Sequence, residues 1–264
     1  MDRVSQTVLK AQIAEAFSRA AETYDALACV QKTAGLTLLE RVADRIPQRI
    51  LDIGCGSGWL TQKFARRFPG ASVWALDLAP GMIRHLRQCC PEISGSILAD
   101  MEALPFKEAS FDLVYSNFAM QWLDNPELFF RESYRLLTPG GRLLCSTLLP
   151  GTLSELSAAW MQADNQPHIN HFLPVGDVRD AAERAGWSWS ADIRKEVVYY
   201  PDAFAVLRAL KGIGANTLTA EHAPGLGLSG RQRLLKMQAA YENAREPQGV
   251  PASYEILYCT LCKS

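Results

Sequence analysis

The sequence predicts an α/β fold in which a seven-stranded, mostly parallel sheet is flanked by helices. Short apolar strand patterns alternate with helical patterns over the first 150 residues, as expected for parallel strands joined by helices. The apolar strand at 50–53 runs directly into Gly54-Cys55-Gly56-Ser57-Gly58, and a helical pattern follows at once. A strand, a tight glycine turn and a helix open the ligand crevice of such sheets.

Size and composition favour a single globular domain. The chain has 264 residues, 48% of them hydrophobic, and a net charge of −1. That length can bury a large core, and the near-zero net charge gives no sign of a nucleic-acid-binding surface. The N-terminus lacks the apolar segment of a signal peptide, and no apolar run reaches membrane-spanning length. We therefore expect a cytoplasmic protein with neither nucleic acid nor membrane as a partner.

The seven cysteines do not form a metal-binding pattern. Cys259-x-x-Cys262 lies in the last predicted strand, where residues three apart face opposite sides of the sheet. We expect reduced thiols and no metal site.

The spacing of the glycines discriminates between ligands. Dinucleotide-binding turns need G-x-G-x-x-G, but Trp59 takes the last glycine position. The turn here is G-x-G-x-G and follows Asp52, whose carboxylate suits an ammonium or sulfonium and repels a pyrophosphate. This pattern resembles motif I of the class I S-adenosylmethionine (SAM) methyltransferases, which have a Rossmann-like fold. A turn that binds no ligand is the alternative.

Polar residues end the strands that follow the turn. Asp77 ends the strand at 72–77, where a carboxylate can accept both ribose hydroxyls or cap the next helix. Asp100 ends the strand at 96–101 and can accept the adenine amino group, while Asn117 ends the strand at 110–117. The complete set of predicted cofactor-binding residues is Tyr24, Gln31, Asp52, Gly54, Cys55, Gly56, Gly58, Asp77, Leu78, Met82, Asp100, Met101 and Asn117. In this set, Met82 is expected to cover the adenine.

The N-terminal residues predict helices that cover the glycine turn. Helical spacing of apolar residues is visible from Val8 to Phe17. The series from Phe17 to Gln31 resembles the SAM-covering segment of one methyltransferase subgroup. That resemblance implies a lid in which Tyr24 and Gln31 contact the polar end of the ligand. An amphipathic helix pair packed on the sheet is the alternative.

The second half predicts a helical insertion before the last strand. Helices are predicted at 154–163 and 176–185, and strands at 142–147, 193–199 and 254–261. About 50 residues separate the last two strands, where a tight hairpin is common in such folds. We expect one methyltransferase domain over 1–264, with an N-terminal helical lid at 1–45, a SAM-binding half at 46–150 and a substrate cap at 202–250.

The cap and the C-terminal strand carry a finer resemblance. The segments 207–217, 172–174 and 251–258 are similar to those of the malonyl-[acyl-carrier protein] O-methyltransferase family of biotin biosynthesis, and the resemblance spans nearly the whole chain. It implies that SAM methylates the free carboxylate of a malonyl thioester, carried by acyl carrier protein or by coenzyme A.

The implied chemistry needs a carboxylate holder and no general base. A carboxylate, with a pKa of about 4, is already ionised at neutral pH. The catalytic candidates, which hold that carboxylate or close over it, are Tyr24, Arg208, Lys211 and Asn216. A solvated helix face is the alternative for the two cations. The further cap residues Arg231 and Arg233 are expected to face an acidic carrier protein.

Three other functions are weighed against this one. A nicotinamide-dependent oxidoreductase shares the fold but needs the missing third glycine. A non-catalytic SAM-binding protein would share the cofactor site alone. A methyltransferase acting on another small acid or on a quinone-like phenol differs only in its acceptor, and a phenol would need a base that the sequence does not place near a strand end.

Overall fold

The structure is a computed structural model that describes residues 3–42, 46–123, 125–215 and 228–264. One seven-stranded sheet forms its centre, built from β1 (Arg49–Ile53), β2 (Ser72–Asp77), β3 (Gly95–Leu98), β4 (Phe111–Asn117), β5 (Leu137–Leu148), β6 (Ala191–Tyr200) and β7 (Val250–Cys262). The strand order is β3-β2-β1-β4-β5-β7-β6. β7 runs antiparallel to both of its neighbours, and the other pairs are parallel. The predicted mostly parallel α/β fold is confirmed.

Helices cover both faces of this sheet. They are α1 (Arg3–Ala20), α2 (Tyr24–Leu27), α3 (Cys29–Glu40), α4 (Trp59–Arg67), α5 (Pro80–Cys89), α6 (Glu127–Leu136), α7 (Ser154–Asp164), α8 (Val175–Arg184), α9 (Ala203–Gly212) and α10 (Leu228–Tyr241). Successive strand residues point to opposite faces, so Ile50 joins one buried apolar cluster and Leu51 joins the other. None of the helices within the described ranges combines the length and apolarity that crossing a membrane requires.

Two strands are longer than predicted because their ends find partners elsewhere in the chain. β5 begins at Leu137 and not at residue 142, since Gly140 and Gly141 exchange backbone hydrogen bonds with Lys263. β7 begins at Val250 and not at residue 254, because its first residues pair with the end of β6. β3 is shorter than predicted and ends at Leu98. Asp100 therefore lies in the loop after the strand.

The N-terminal helices pack on the half of the molecule that contains β1 to β4, through α5. The backbone N–H of Gly81, in the first turn of α5, donates to the Ser18 hydroxyl at 3.0 Å. A Cβ at residue 81 would lie 2.5 Å from the Ser18 Cα, so α1 approaches α5 this closely only because residue 81 is a glycine. This contact fixes α1 above the carboxyl ends of the parallel strands.

The end of α9 packs against the same N-terminal helices. The Thr23 hydroxyl donates to the Gly212 carbonyl at 3.0 Å. A Cβ at residue 212 would lie 2.1 Å from Leu27 Cδ1, and Gly214 has a φ of +76° beside the Ala16 carbonyl. The lid and the cap therefore share one contact surface along the glycine-rich end of α9. Asn216, a predicted catalytic residue, lies outside the described residues.

Candidate active site

Three cavities meet at Tyr24. A large cavity of about 330 Å³ lies between the N-terminal helices, α7, α9 and α10. A cavity of about 80 Å³ lies at the ends of β2 and β4, and one of about 40 Å³ lies between α3 and the glycine turn. Tyr24 lines all three. Phe17, Phe118 and Trp122 border the 330 Å³ and the 80 Å³ cavity, and Gln31 borders the 330 Å³ and the 40 Å³ cavity.

Left-handed glycines shape the turn after β1. Gly54 and Gly58 have φ values of 74° and 85°. A Cβ at Gly54 would lie 2.4 Å from the Ala119 Cβ, and a Cβ at Gly58 would lie 2.7 Å from Leu86. Side chains at these positions would be both strained and crowded. Gly54 and Gly56 line both the 80 Å³ and the 40 Å³ cavity, whereas Gly58, predicted to bind the cofactor, lines neither.

Asp77 ties the second strand to the glycine turn. Its two carboxylate oxygens accept the N–H groups of Gly56 and Ala79, each at 2.8 Å. Burial raises the pKa of Asp77, although these backbone hydrogen bonds lower it. Seven more predicted cofactor residues line the same 80 Å³ cavity, namely Tyr24, Gly54, Gly56, Leu78, Asp100, Met101 and Asn117. The residues at the ends of three strands therefore lie together around one cavity.

Asp100 has a partner that the sequence does not indicate. Lys10 of α1 reaches across and forms ion pairs with Asp100, at 2.6 Å, and with Glu102. The other Asp100 oxygen accepts the Glu102 N–H at 3.0 Å. A lone lysine on a helix gives no signal of such a contact. An adenine amino group at Asp100 would share this carboxylate with the lid.

One Asp52 oxygen is bonded within the fold, and contact of the carboxylate with a ligand stays a prediction. Asp52 is buried, and one oxygen accepts the hydroxyls of Thr61 at 2.5 Å and Tyr115 at 2.7 Å. Asp52 lines the floor of the smallest cavity, but this oxygen holds the start of α4 and the middle of β4 together. Burial raises its pKa to about 7, against the effect of the two hydroxyl donors.

Met82 does not line the cavity in which it is predicted to cover the adenine. Its side chain is fully buried and packs with Ala21 and Ala79, and it does not line the 80 Å³ cavity. The first turn of α5 directs the Met82 side chain toward the N-terminal helices. Ile13 of α1 lines the cavity instead. Met82 therefore lies on the predicted helix but not on the face that borders the cavity.

The smallest cavity joins the lid to the turn. Gln31 and Cys55 line it, as predicted for a cofactor site. Asn117 donates from its amide nitrogen to the Gln31 carbonyl at 2.9 Å. The Ser57 hydroxyl donates to the Asp25 carboxylate at 2.5 Å. These two bonds connect α2 and α3 of the lid to the glycine turn after β1 and to the last residue of β4.

Arg208 and Lys211 do not reach the large cavity. The Arg208 side chain is 71% exposed and lies 3.9 Å from Asp202. Lys211 is also exposed. Their neighbours Leu207 and Leu210 line the cavity, so α9 turns its apolar face inward and both cations outward. In this structure the two cations therefore form the solvated helix face of the alternative interpretation.

Arg233 takes the opposite position from the one predicted. It lines the large cavity, its side chain is 26% exposed, and its guanidinium lies 3.6 Å from Asp164. Asp164 also binds His168 Nε2 at 3.0 Å, and the His168 ring stacks on Trp160 with 3.7 Å between centroids. The D-x-x-x-H spacing could have indicated this pair. Arg231 is exposed, as expected of a residue that faces a partner.

The histidines and cysteines of the chain also bear on base catalysis and metal binding. His171 is exposed, and His222 lies outside the described residues. All seven cysteines are free thiols, with Cys259 buried and Cys262 exposed. Across the described ranges, no group of three or more His, Cys, Asp or Glu side chains is arranged to hold a metal ion.

Comparison with known proteins assigns the family. Residues 51–145 match the family model described as a methyltransferase domain. The chain is 44% identical to the malonyl-[acyl-carrier protein] O-methyltransferase of Hahella chejuensis, over 95% of this chain and 89% of that protein. The chain belongs to the malonyl-[acyl-carrier protein] O-methyltransferase family.

Other similarities agree with this family. The chain is 39% identical to the biotin biosynthesis bifunctional protein BioHC of Cellvibrio japonicus, over 99% of this chain and 52% of that protein. It thus spans about half of the bifunctional relative. A crystal structure described as a methyltransferase from Bacillus halodurans superposes with a TM-score of 0.61 at 18% identity, covering 88% of this chain and 99% of that one, and supports the fold alone. Members of the family with this fold are SAM-dependent methyltransferases, and so is this chain.

The buried Asp52 predicts a pH-dependent stability. Because its pKa rises from 3.8 to about 7 on folding, the folded protein binds more protons than the unfolded chain between these values. The free energy of unfolding should therefore fall as pH rises from about 4 to about 7 and level off above that range. Denaturant titrations across this range, on the wild type and on Asp52→Asn, measure the effect. Parallel curves for the two proteins would contradict it.

The position of Asp77 predicts a loss of cofactor affinity on substitution. Asp77→Ala should raise the SAM dissociation constant about tenfold or more, since losing a hydrogen bond to a charged group costs roughly 1.5–3 kcal/mol. Isothermal titration measures the constant, and a melting curve checks folding. Asp180→Ala, at an exposed aspartate of α8, is the control and should bind normally. A folded Asp77→Ala protein with wild-type affinity would refute the assignment.

Proposed function

We propose that this methyltransferase transfers the methyl group of SAM to the free carboxylate of a malonyl thioester, with malonyl-acyl carrier protein as the acceptor, in biotin biosynthesis. The family supports the acceptor, since its relatives are named for malonyl-[acyl-carrier protein] and for biotin biosynthesis. The single observation that carries the chemistry is the meeting of three cavities at Tyr24. A donor and an acceptor held in neighbouring cavities can react only where those cavities join.

The two smaller cavities suit the two ends of SAM. We assign the nucleoside to the cavity beside Asp77 and Leu78, which must open beyond its 80 Å³ to hold it. We assign the amino-acid end to the cavity between Gln31 and the glycine turn, which must likewise open beyond its 40 Å³. The sulfonium would then lie beside Tyr24, which borders both. SAM supplies an activated methyl group, and the protein holds it facing the large cavity.

Neutral donors suit the acceptor carboxylate better than a cation does. Tyr24, Gln31 and Trp122 border the large cavity at the junction and carry O–H or N–H groups. Burial and the nearby Asp77 and Asp25 raise the pKa of Tyr24, so its hydroxyl stays protonated and can donate. Hydrogen bonds orient one carboxylate oxygen and leave the other free to attack. A tight guanidinium grip would reduce the nucleophilicity of the carboxylate.

Alignment and desolvation then explain the catalysis. In-line displacement at a methyl group needs the attacking oxygen, the carbon and the sulfur on one axis, and holding them there can supply much of the rate. Phe17 packs edge-on against Trp122 with 5.4 Å between centroids. These aromatic side chains exclude water from the junction, and their faces favour a sulfonium cation.

A phenol acceptor fits the junction less well. A phenol has a pKa near 10 and needs a base before it attacks. The side chains at the junction that border the large cavity and a second one are Phe17, Tyr24, Gln31, Phe118 and Trp122, and none is a base. His168 borders the large cavity alone. An acceptor that is already ionised matches this composition.

The Tyr24 hydroxyl gives a direct mutational prediction. Tyr24→Phe should lower kcat/KM for the malonyl thioester roughly 10- to 100-fold, because a hydrogen bond to a charged group is worth roughly 1.5–3 kcal/mol. The ring and the fold are retained, so the melting temperature should stay close to that of the wild type. Tyr199→Phe is the matched control, since the Tyr199 hydroxyl bonds Glu246 on the surface. Equal activity of both variants would return the lid to a structural role.

Acceptor competition tests the function itself. Methyl transfer from labelled SAM is measured with malonyl-acyl carrier protein, malonyl-coenzyme A, free malonate and a phenol. We expect a methyl ester on the malonyl thioesters and none on the phenol. Methylation of the phenol with no turnover of either thioester would overturn the proposal and favour the alternative acceptor.

A further inference from the structure

The large cavity is bigger than the group that receives the methyl. A malonyl group with its thioester sulfur takes roughly 140 Å³ at the packing density of a protein interior. The cavity has about 330 Å³. With the carboxylate at Tyr24, more than half of the cavity remains for the atoms beyond the sulfur. The proposed function thus leaves most of this space without an occupant.

Most of that space is apolar, but one part is not. Leu207, Leu210 and Leu234 contribute apolar lining, while Asp164, His168 and Arg233 form a polar cluster in the same wall. The Asp164 side chain is only 8% exposed. It accepts from His168 Nε2 at 3.0 Å and lies 3.6 Å from the Arg233 guanidinium. A charge buried this far is tolerated because both partners contact it.

The cluster of Asp164, His168 and Arg233 places a hydrogen-bond acceptor beside hydrogen-bond donors. A carboxylate accepts hydrogen bonds only, so Asp164 keeps the proton of a neutral His168 on Nε2. His168 Nδ1 is then an acceptor. The guanidinium of Arg233 is a fork of N–H donors in the same wall. An acceptor next to a donor is the complement of a secondary amide, whose N–H donates and whose carbonyl accepts.

Gln121 adds a second polar group in the same cavity. Its side-chain oxygen Oε1 is buried and has no hydrogen-bond partner among the described residues. An unpaired buried acceptor costs free energy unless a ligand supplies a donor. Gln121 lines the large cavity one position before Trp122, which borders the junction. It therefore places a buried acceptor in the lining of the large cavity, next in sequence to a residue of the junction.

We propose that Gln121 and the cluster of Asp164, His168 and Arg233 form a subsite for the amide-bearing arm of the acyl thioester. This rests on the proposed function, since it assumes that the carboxylate end of the substrate lies at Tyr24. The arm of acyl carrier protein and of coenzyme A shares this chemistry, with secondary amides on a flexible aliphatic chain. The subsite binds the amides, while the junction binds the carboxylate. Gln121 and His168 thus recognise the arm that carries the malonyl group.

Substrates without a carrier protein distinguish amide binding at the subsite from carboxylate binding at the Tyr24 junction. We compare malonyl-S-pantetheine, which has both amides, with malonyl-S-butyl, which has none. The wild type should methylate the pantetheine thioester with a kcat/KM at least about tenfold higher, chiefly through a lower KM. His168→Phe and Gln121→Leu keep side-chain volume and remove the polar atoms. Each should lose most of that preference while its turnover of the butyl thioester stays near the wild-type value.

A matched histidine and a binding test complete the experiment. His171→Phe changes an exposed histidine in the same loop and should keep the full preference. Acetyl-S-pantetheine, which has no carboxylate, should inhibit the wild type competitively, and acetyl-S-butyl should not; this test needs no variant. Equal kcat/KM of the wild type for both malonyl thioesters, or equal losses of a variant on both, would overturn the subsite while leaving the proposed function intact. Absence of turnover on every malonyl thioester would overturn the function as well.

Discussion

The attachment of the N-terminal lid to the glycine turn is the constraint on which the site depends. Asp25 accepts the Ser57 hydroxyl, and Asn117 donates to the Gln31 carbonyl. Both bonds hold the segment that carries Tyr24 against the carboxyl ends of the parallel strands. Held there, Tyr24 lines the large cavity and both smaller cavities. In the proposed function, it therefore lies where the donor and the acceptor react.

The core beneath the turn keeps that point fixed. Tyr115 stacks on Phe64 with 3.8 Å between ring centroids and donates to the buried Asp52. Thr61 donates to the same oxygen from α4. The two hydroxyl donors stabilise the buried carboxylate, which thereby fixes how β4, the glycine turn and α4 pack. Burial nevertheless has the largest effect on the Asp52 pKa and raises it. One oxygen of the motif carboxylate thus organises the turn.

The sequence predicts residue positions best where the geometry of a parallel sheet determines them. Parallel strands end at one edge of a sheet, so Asp77 and Asn117 could be placed together from the strand pattern alone. Helix faces were harder, because neighbouring positions on α9 point in different directions. The charge of Arg208 favours a role in holding the substrate carboxylate, but its neighbours Leu207 and Leu210 line the cavity. The prediction for Met82 failed for the same reason on α5.

Contacts between distant segments gave no sequence signal at all. Lys10 forms an ion pair with Asp100, which lies 90 residues further along the chain. Arg233 forms an ion pair with Asp164 in the lining of the large cavity. Such pairs depend on how lid and cap pack, which neither periodicity nor spacing determines. The finer resemblance in the cap pointed to the correct family, although the glycines of that segment serve the lid contact at Thr23 and Leu27.

A crystal structure of the protein with S-adenosylhomocysteine and a malonyl thioester bound together would test most directly whether the two substrates meet at Tyr24. We expect the substrate carboxylate within hydrogen-bond distance of the Tyr24 hydroxyl, about 2.5–3.0 Å, facing the cofactor sulfur. The acyl arm should run along Gln121 toward His168. A carboxylate bound at Arg233 instead, with Tyr24 making no contact to it, would contradict this mechanism.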